Sequence, residues 1–264
     1  MFIAAGMLAG ISVLFFILGR NQGRKAGNMR GIETSMAAEI GETAKAVADE
    51  IGAGSFSRQA ELKGKAECDQ PLRSEMAGQP CVWYKCTVTR EYEENRMERD
   101  SDGRSHSQTH RGSETVSSSE RRVPFMLRDA SGDILVDPEG AKVDGEQVLS
   151  RYEAGDRGTS ITIGGFSVSI GQGGLGRNTL GYKMEEWILP LGKDLYVLGE
   201  ARDDGGQLRI AKPTEKGARF FISVKSEEAL IGSARKGEMI LSILSGVFMA
   251  GAALLATLKL FRVS

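Results

Sequence analysis

Cysteine, histidine, proline and a charge excess of either sign are all scarce in this chain. Its 264 residues include three Cys, two His and six Pro. Three cysteines cannot all pair, so at least one thiol is left free, which suits a reducing compartment. Cys81 and Cys86 stand five apart, a spacing that puts them on opposite faces of one strand. Basic and acidic residues nearly cancel, 34 against 35, so no overall field would draw nucleic acid. No basic residue precedes the first apolar stretch and no A-x-A site follows it, which argues against a cleaved signal peptide.

What the chain does have is apolar sequence gathered into two uncharged runs, Phe2–Leu18 and Met239–Leu258. At about 1.5 Å per residue, roughly 20 residues span the 30 Å of a hydrocarbon core. A buried core helix of this length would carry a polar face. Leu, Ile, Phe and Val each favour insertion by about 0.3–0.6 kcal/mol, against a cost of about 3 for a central Arg. Both runs are therefore expected to be membrane anchors. Arg20, Arg24, Lys25 and Arg30 follow the first run closely, so the positive-inside rule places the central region in the cytoplasm. Arg235 and Lys236 agree, whereas Lys259 and Arg262 oppose. The expected location is a plasma or inner membrane, crossed twice. Gly6 and Gly10 form a G-x-x-x-G step, and Ser242, Gly246 and Ala250 form a small-residue ladder. Such faces let helices approach closely and would support a homo-oligomer.

After the first run, Ile32, Met36, Ile40, Ala44, Val47 and Ile51 recur at helical spacing, and Gly52-Ala53-Gly54 closes the segment. Packing on the chain's own domain is the default for this stripe. Residues 60–68 alternate, with Ala60, Leu62, Ala66 and Cys68 on one face and Glu61, Lys63, Lys65 and Glu67 on the other. A second strand holds Val82, Tyr84, Cys86, Val88 and Tyr92 on one face, and the two are spaced as antiparallel neighbours. Glu93–Arg122 has almost no apolar residues and is expected to be a long mobile polar loop, with a strand pair near its base and a disordered tip. Ala130-Ser131-Gly132 turns PFMLRD into DILVDP. Gly155–Gly181 holds two short strands and a glycine-rich loop.

Tyr182–Glu200 is the most apolar part of the middle region, and Pro190 with Gly192-Lys193-Asp194 divides it into two strands. Leu195–Leu198 reads as a central strand covered on both faces. QLRIAKP and RFFISV follow as strands, and Lys225–Lys236 reads as a helix leading into the second run. About nine short strands with no helix between them predict a mainly β fold. The expected architecture is a small antiparallel barrel or barrel-like sandwich held between two transmembrane α-helices. Residues 1–19 form the first anchor, 20–54 a helical linker, 55–233 the β domain with its loop at 93–122, and 234–264 the second anchor and tail.

Candidate chemistry is sparse. Gly171–Gly176, GQGGLG, matches G-x-G-x-x-G, but a strand-like run follows it where dinucleotide binding needs a helix. His106 and His110 are four apart with no nearby Cys to complete a ligand set. Glu185 and Glu186 are adjacent on a strand, so they point apart and cannot share a proton; Glu185 is read as a structural cap or pair. Cys81 lacks a histidine to activate it. No catalytic residue, cofactor or metal is expected.

Three blocks in order, KGKAECDQPLRSEMAGQPCVWYKCTV (63–88), PFMLRDASGDILVDPEGA (124–141) and EEWILPLGKDLYVLGEA (185–201), closely resemble the GIDE domain, also called BAM, beside-a-membrane. The resemblance covers about residues 58–232. Leu72, Cys81, Phe125, Leu127, Asp129, Asp137, Pro138, Glu185, Leu198 and Gly199 are its structural motif positions here. The family implies a β-rich module between two transmembrane helices. Its best-known members are organellar ubiquitin ligases with a RING domain after the second helix. A RING needs eight Cys or His ligands for two zinc ions, so the resemblance is to a RING-less, prokaryotic-type member. The expected role is a non-catalytic interaction or scaffold module at the membrane surface. Its partners would be the lipid bilayer, an unidentified protein and further copies of the chain, without nucleic acid. The rival readings are an E3 ubiquitin-ligase-like protein with its RING on a separate chain, and a small-ligand sensor using the glycine-rich loop.

Overall fold

Period-two patterning dominates the middle of the chain, and it becomes fourteen strands among the described residues. The computed structural model describes residues 6–7, 10–18, 34–99, 103–155, 160–163, 166–169, 177–204 and 206–263; within the second uncharged run, side chains are described for Met239–Ala253. The chain divides into two units, Ser35–Val224 and a second made of Met1–Thr34 with Lys225–Ser264.

In the first unit, helix α1 (Ala37–Ile51) precedes β1 (Ser57–Glu67), β2 (Leu72–Arg73), β3 (Pro80–Arg99) and β4 (Ser105–Arg122). Next come β5 (Phe125–Arg128), β6 (Asp133–Val136), β7 (Lys142–Asp144), β8 (Glu146–Ala154), β9 (Ser160–Ile163) and β10 (Phe166–Ser169). The last strands are β11 (Arg177–Pro190), β12 (Asp194–Asp204), β13 (Gln207–Ala211) and β14 (Phe221–Ser223). β1, β5, β6, β13 and β12 pair in that order, and β12 pairs back to β1, so five strands close into a barrel. All its pairings are antiparallel except β13 with β6. The other sheet runs β2-β3-β11-β8 with β4 along β3, an open half-barrel. The mainly β expectation holds.

The apolar interval is divided as its proline and glycine predict, with β11 ending at Pro190 and β12 starting at Asp194. Its halves serve different sheets. β12 sits among β1, β13 and β14, and every residue from Leu195 to Ala201 is buried. Side chains on both faces of a central strand leave water together, which is why the run is continuous rather than alternating. Gly199 follows Leu198 because a Cβ there would stand 2.8 Å from Ile210 Cγ2 and 3.0 Å from the Phe220 ring. The barrel core collects Ala60, Leu62, Leu127, Ile134, Val197 and Ile210, with α1 laid on it through Ile40 and Ala44. The helix is thus part of this unit, and Gly52 ends it with φ +101°.

Met36, the residue before α1, supplies no side-chain cap. The β5–β6 turn caps the helix instead. Ala37 N donates to Asp129 Oδ2 at 2.7 Å and Ala38 N to Ser131 Oγ at 3.0 Å. Asp129 Oδ1 also accepts from Ser131 N, Ser131 Oγ and Gly132 N. Burial by itself would raise this carboxyl. Those donors outweigh it, and the group is held below its ordinary value.

Four expectations are corrected. Residues 93–99 and 105–122 are strand rather than polar loop, in a ladder running from Trp83↔Arg122 to Arg99↔Ser105. Cross-strand polar pairs and backbone hydrogen bonds build it without apolar burial. The strands at 60–68 and 81–92 are not neighbours, since β1 belongs to the barrel and β3 to the half-barrel. Glu61 is not on a solvent face. It is 1% exposed and accepts a hydrogen bond from Tyr196 Oη at 2.8 Å. Cys81 and Cys86 do not face apart, because a bulge beside Val82, where Leu189↔Trp83 is followed by Pro190↔Cys81, resets the alternation. Both thiols enter one cluster.

In the second unit, residues 10–18 are helical, and α2 (Glu227–Val263) carries the second uncharged run. The expected helix at Lys225–Lys236 is the start of α2. No helix among the described residues is long and apolar enough to cross a membrane.

Candidate functional site

The densest group of chemically capable side chains lies on one face of the half-barrel. Along β11, Tyr182, Met184, Glu186 and Ile188 alternate inward. They lie beside Arg90, Val88, Cys86 and Tyr84 of β3 respectively. The segment between β2 and β3 folds over the apolar half of this face, with Met76 buried in it. That segment closes on itself through Ser74 N to Gln79 O, Gly78 N to Ser74 O and Gln79 N to Ser74 Oγ.

Two carboxylates hold it down. Glu186, fully buried, accepts from Met76 N at 2.9 Å and Ala77 N at 2.7 Å. Glu75 reaches the other way. Its Oε1 accepts from Tyr84 Oη at 2.9 Å and Ser119 Oγ at 3.1 Å, and its Oε2 from Cys86 Sγ at 3.3 Å. Burial raises the Cys81 thiol to about 11, with the Glu186 charge adding to it. Burial, then the contact with Glu75, raises Cys86 to about 12. Tyr84 also rises to about 12, from burial and then its bond to Glu75. The thiolate is the reactive form of cysteine, so at neutral pH both thiols are inert hydrogen-bond donors. This cluster fastens a loop.

The same shifts make alkaline instability an expected result. The folded values of Cys81, Cys86 and Tyr84 lie above the ordinary 9.0, 9.0 and 10.0. The unfolded chain therefore loses these protons first. Their contribution is whole below about pH 9 and is lost as pH rises towards 11–12, at about 1.4 kcal/mol per pH unit for each group. Urea midpoints from pH 8 to 11 should fall, and the Cys81→Ala/Cys86→Ala variant should fall less steeply. Parallel slopes would contradict this account.

Further along the face, the chemistry becomes ionic. Arg177 stands 4.6 Å and Arg90 5.6 Å from the centre of the Tyr92 ring. Arg90 donates to Thr179 Oγ1 at 2.9 Å and to Glu114 at 3.0 Å. Arg177 pairs with Glu94 at 2.9 Å and holds that carboxyl below its ordinary value. Among the described residues the pairing of β3 with β11 ends at Glu94, and β3 and β4 continue as an exposed two-stranded arm. His106 and His110 lie on this arm, and His110 Nε2 is 3.0 Å from Glu98 Oε1. Among the described residues no group of three or more His, Cys, Asp or Glu could hold a metal ion. GQGGLG, 171–176, lies outside the described residues.

The motif positions do not converge on one centre. Leu72 and Cys81 flank the covering segment, Cys81 Sγ lying 3.8 Å from Leu72 O. Phe125 and Leu127 belong to the barrel core, and Leu198 is buried on β12. Asp137 Oδ1 accepts from Glu139 N, and Pro138 O from Arg122 Nη1 at 2.9 Å. Glu185 pairs with Lys183 at 2.8 Å and accepts from Gln147. The residues absent from the motif positions are Glu75, Tyr84, Ser119 and Glu186. Glu186 had a signal, since it shares parity with Tyr182, Met184 and Ile188. Glu75 had none, because its partners lie on two other strands, Tyr84 and Cys86 on β3 and Ser119 on β4.

The model of the GIDE family, described as E3 Ubiquitin ligase, matches residues 93–256, more than half of the 264-residue chain. No curated protein and no solved structure matches.

Proposed function

Since the chain belongs to the GIDE family, related by its description to E3 ubiquitin ligases, we propose that it is a membrane-anchored, non-catalytic interaction module. The observation that carries this is where apolar surface is left exposed. Of the 18 large hydrophobic side chains exposed among the described residues, 13 lie in the two uncharged runs, from Met7 to Leu18 and from Met239 to Met249. A soluble surface does not concentrate apolar side chains in this way, and such concentration marks a membrane or a partner. The lipid bilayer is the occupant that two uncharged helices fit. The unit Ser35–Val224 would then be displayed at the membrane surface. There the exposed β3–β4 arm offers polar side chains and a strand edge to a protein partner.

The non-catalytic part rests on the buried cluster, whose carboxylates are engaged by backbone and side-chain donors and whose thiols stay protonated. The three Cys and two His of these 264 residues fall short of the eight ligands of a two-zinc RING. Ligase chemistry would have to come from another segment or chain.

Topology follows from the basic residues after the first run, which favour a cytoplasmic central unit. Ser118 is exposed on β4, and Cys81 and Cys86 are buried, leaving Cys68 as the half-exposed background thiol. Ser118→Cys in a Cys68→Ser background should resist an impermeant maleimide on intact cells and react after permeabilisation. Labelling of intact cells would put the unit outside. Recovery of the chain in the soluble fraction after alkaline carbonate washing would overturn the membrane reading.

A further inference from the structure

We infer that the two uncharged runs are each other's partner, clasped within one chain by a reciprocal pair of serines. This rests on the membrane reading above, and it assigns the seam that reading leaves open. Ser12 Oγ donates to Ser245 O at 2.9 Å, and Ser245 Oγ donates to Ser12 O at 3.1 Å. The two hydroxyl oxygens are 3.2 Å apart. Phe15 and Phe248 stack beside them with ring centres 5.6 Å apart.

Burial marks the same seam independently. Ser12 is fully buried, although its neighbours Ile11, Val13 and Leu14 are exposed. On α2, Leu241, Ser245, Phe248 and Ala252 are shielded and recur at helical spacing, with Gly251 beside them, whereas Ser242, Gly246 and Ala250 are exposed. Nothing lies within 4 Å of a Cβ built at Gly6, Gly10 or Gly246. The glycine step and the small-residue ladder therefore lie off the seam, and the polar serines lie on it. That choice is physically sound in hydrocarbon. Between lipid-facing helices there is no hydrophobic drive to association, and hydrogen bonds with close packing hold them together. A serine hydroxyl turned to lipid would lose its partner with no water to replace it. Both ends of the β unit would thus be tied to one two-helix anchor, without help from a second copy.

The test uses the full chain in its native membrane, in a Cys68→Ser background. The Ser12→Cys/Ser245→Cys variant should oxidise to a disulfide within a monomer, identified by mass spectrometry of the linked peptides. The Ser12→Cys/Ser242→Cys control should give several-fold less. Cross-linking of the first variant as a dimer, or equal yields from the two variants, would overturn the clasp. Carbonate washing of the same samples separates the two claims. Intramolecular cross-linking in a chain released by carbonate would refute the membrane reading and leave the clasp standing. A pelleted chain without the intramolecular link would do the reverse.

Discussion

Leu198→Ala is expected to lower the melting temperature of the isolated Ser35–Val224 unit by roughly 5–20 °C. Leu198 is 1% exposed, in the most continuously buried strand of the barrel. Truncating a buried Leu to Ala costs about 2–5 kcal/mol through lost transfer energy and the cavity left behind. In a domain of this size each kcal/mol moves the midpoint by about 2–4 °C. The fragment must begin at Ser35, since Ile40 and Ala44 of α1 belong to the barrel core. Met97→Ala is the control, as Met97 is 75% exposed on the arm. Thermal unfolding followed by circular dichroism decides the matter, and equal midpoints for the two variants would remove Leu198 from the core.

Glu186→Ala should be comparably damaging, for a different reason. Its carboxylate accepts two backbone N–H groups of the covering segment. Hydrogen bonds to a charged acceptor are worth about 1.5–3 kcal/mol each, and buried donors left without a partner incur a desolvation cost. A loss of about 2–5 kcal/mol is expected from urea denaturation. Glu185→Ala next door, which breaks a surface pair with Lys183, should cost under about 1 kcal/mol. Thiol chemistry provides a second readout. If the covering segment is released, Cys81 and Cys86 should alkylate in the folded Glu186→Ala protein, while the parent reacts only at Cys68. Equal stability of the two variants, with Cys81 and Cys86 still protected, would show that Glu186 does not fasten the loop.

Both variants bear on the proposed function. A module that displays a rigid surface needs its two sheets fixed, and these residues fix one sheet each. Under the proposed function, loss of either side chain should weaken partner capture only as far as it weakens the fold.

Much of the fold was legible from local sequence. The alternation of Ala60, Leu62 and Ala66, the turn at Ala130-Ser131-Gly132 and the break at Pro190–Asp194 are short-range signals, and each became the strand, hairpin or turn it predicts. The burial of Leu198 was legible too, since a strand apolar at successive positions must be covered on both faces. The candidate site was much less so. Glu186 could have been placed inward by parity, but what it binds depends on a segment about 110 positions away in sequence.

The sequence by itself determined the mainly β class, the family, the two uncharged runs and most strand positions, because these depend on side-chain periodicity and turn residues within a few positions. Tertiary structure decided which strands meet. β1 joins β12 rather than β3, and nothing local distinguishes one antiparallel partner from another. It also decided parity after a bulge. One extra residue at Val82 turns Cys81 to the same face as Cys86, since a shift of one position reverses every side chain beyond it. The polar arm shows the same limit from the other side. Residues 93–99 and 105–122 lack the apolar content that marks a strand. Up to Glu94, β3 is held by β11, and beyond it β3 and β4 hold each other through backbone bonds and cross-strand pairs such as Thr109 with Asn95 and His110 with Glu98. Composition measures what a segment can bury, whereas order in this arm comes from the strand it lies against.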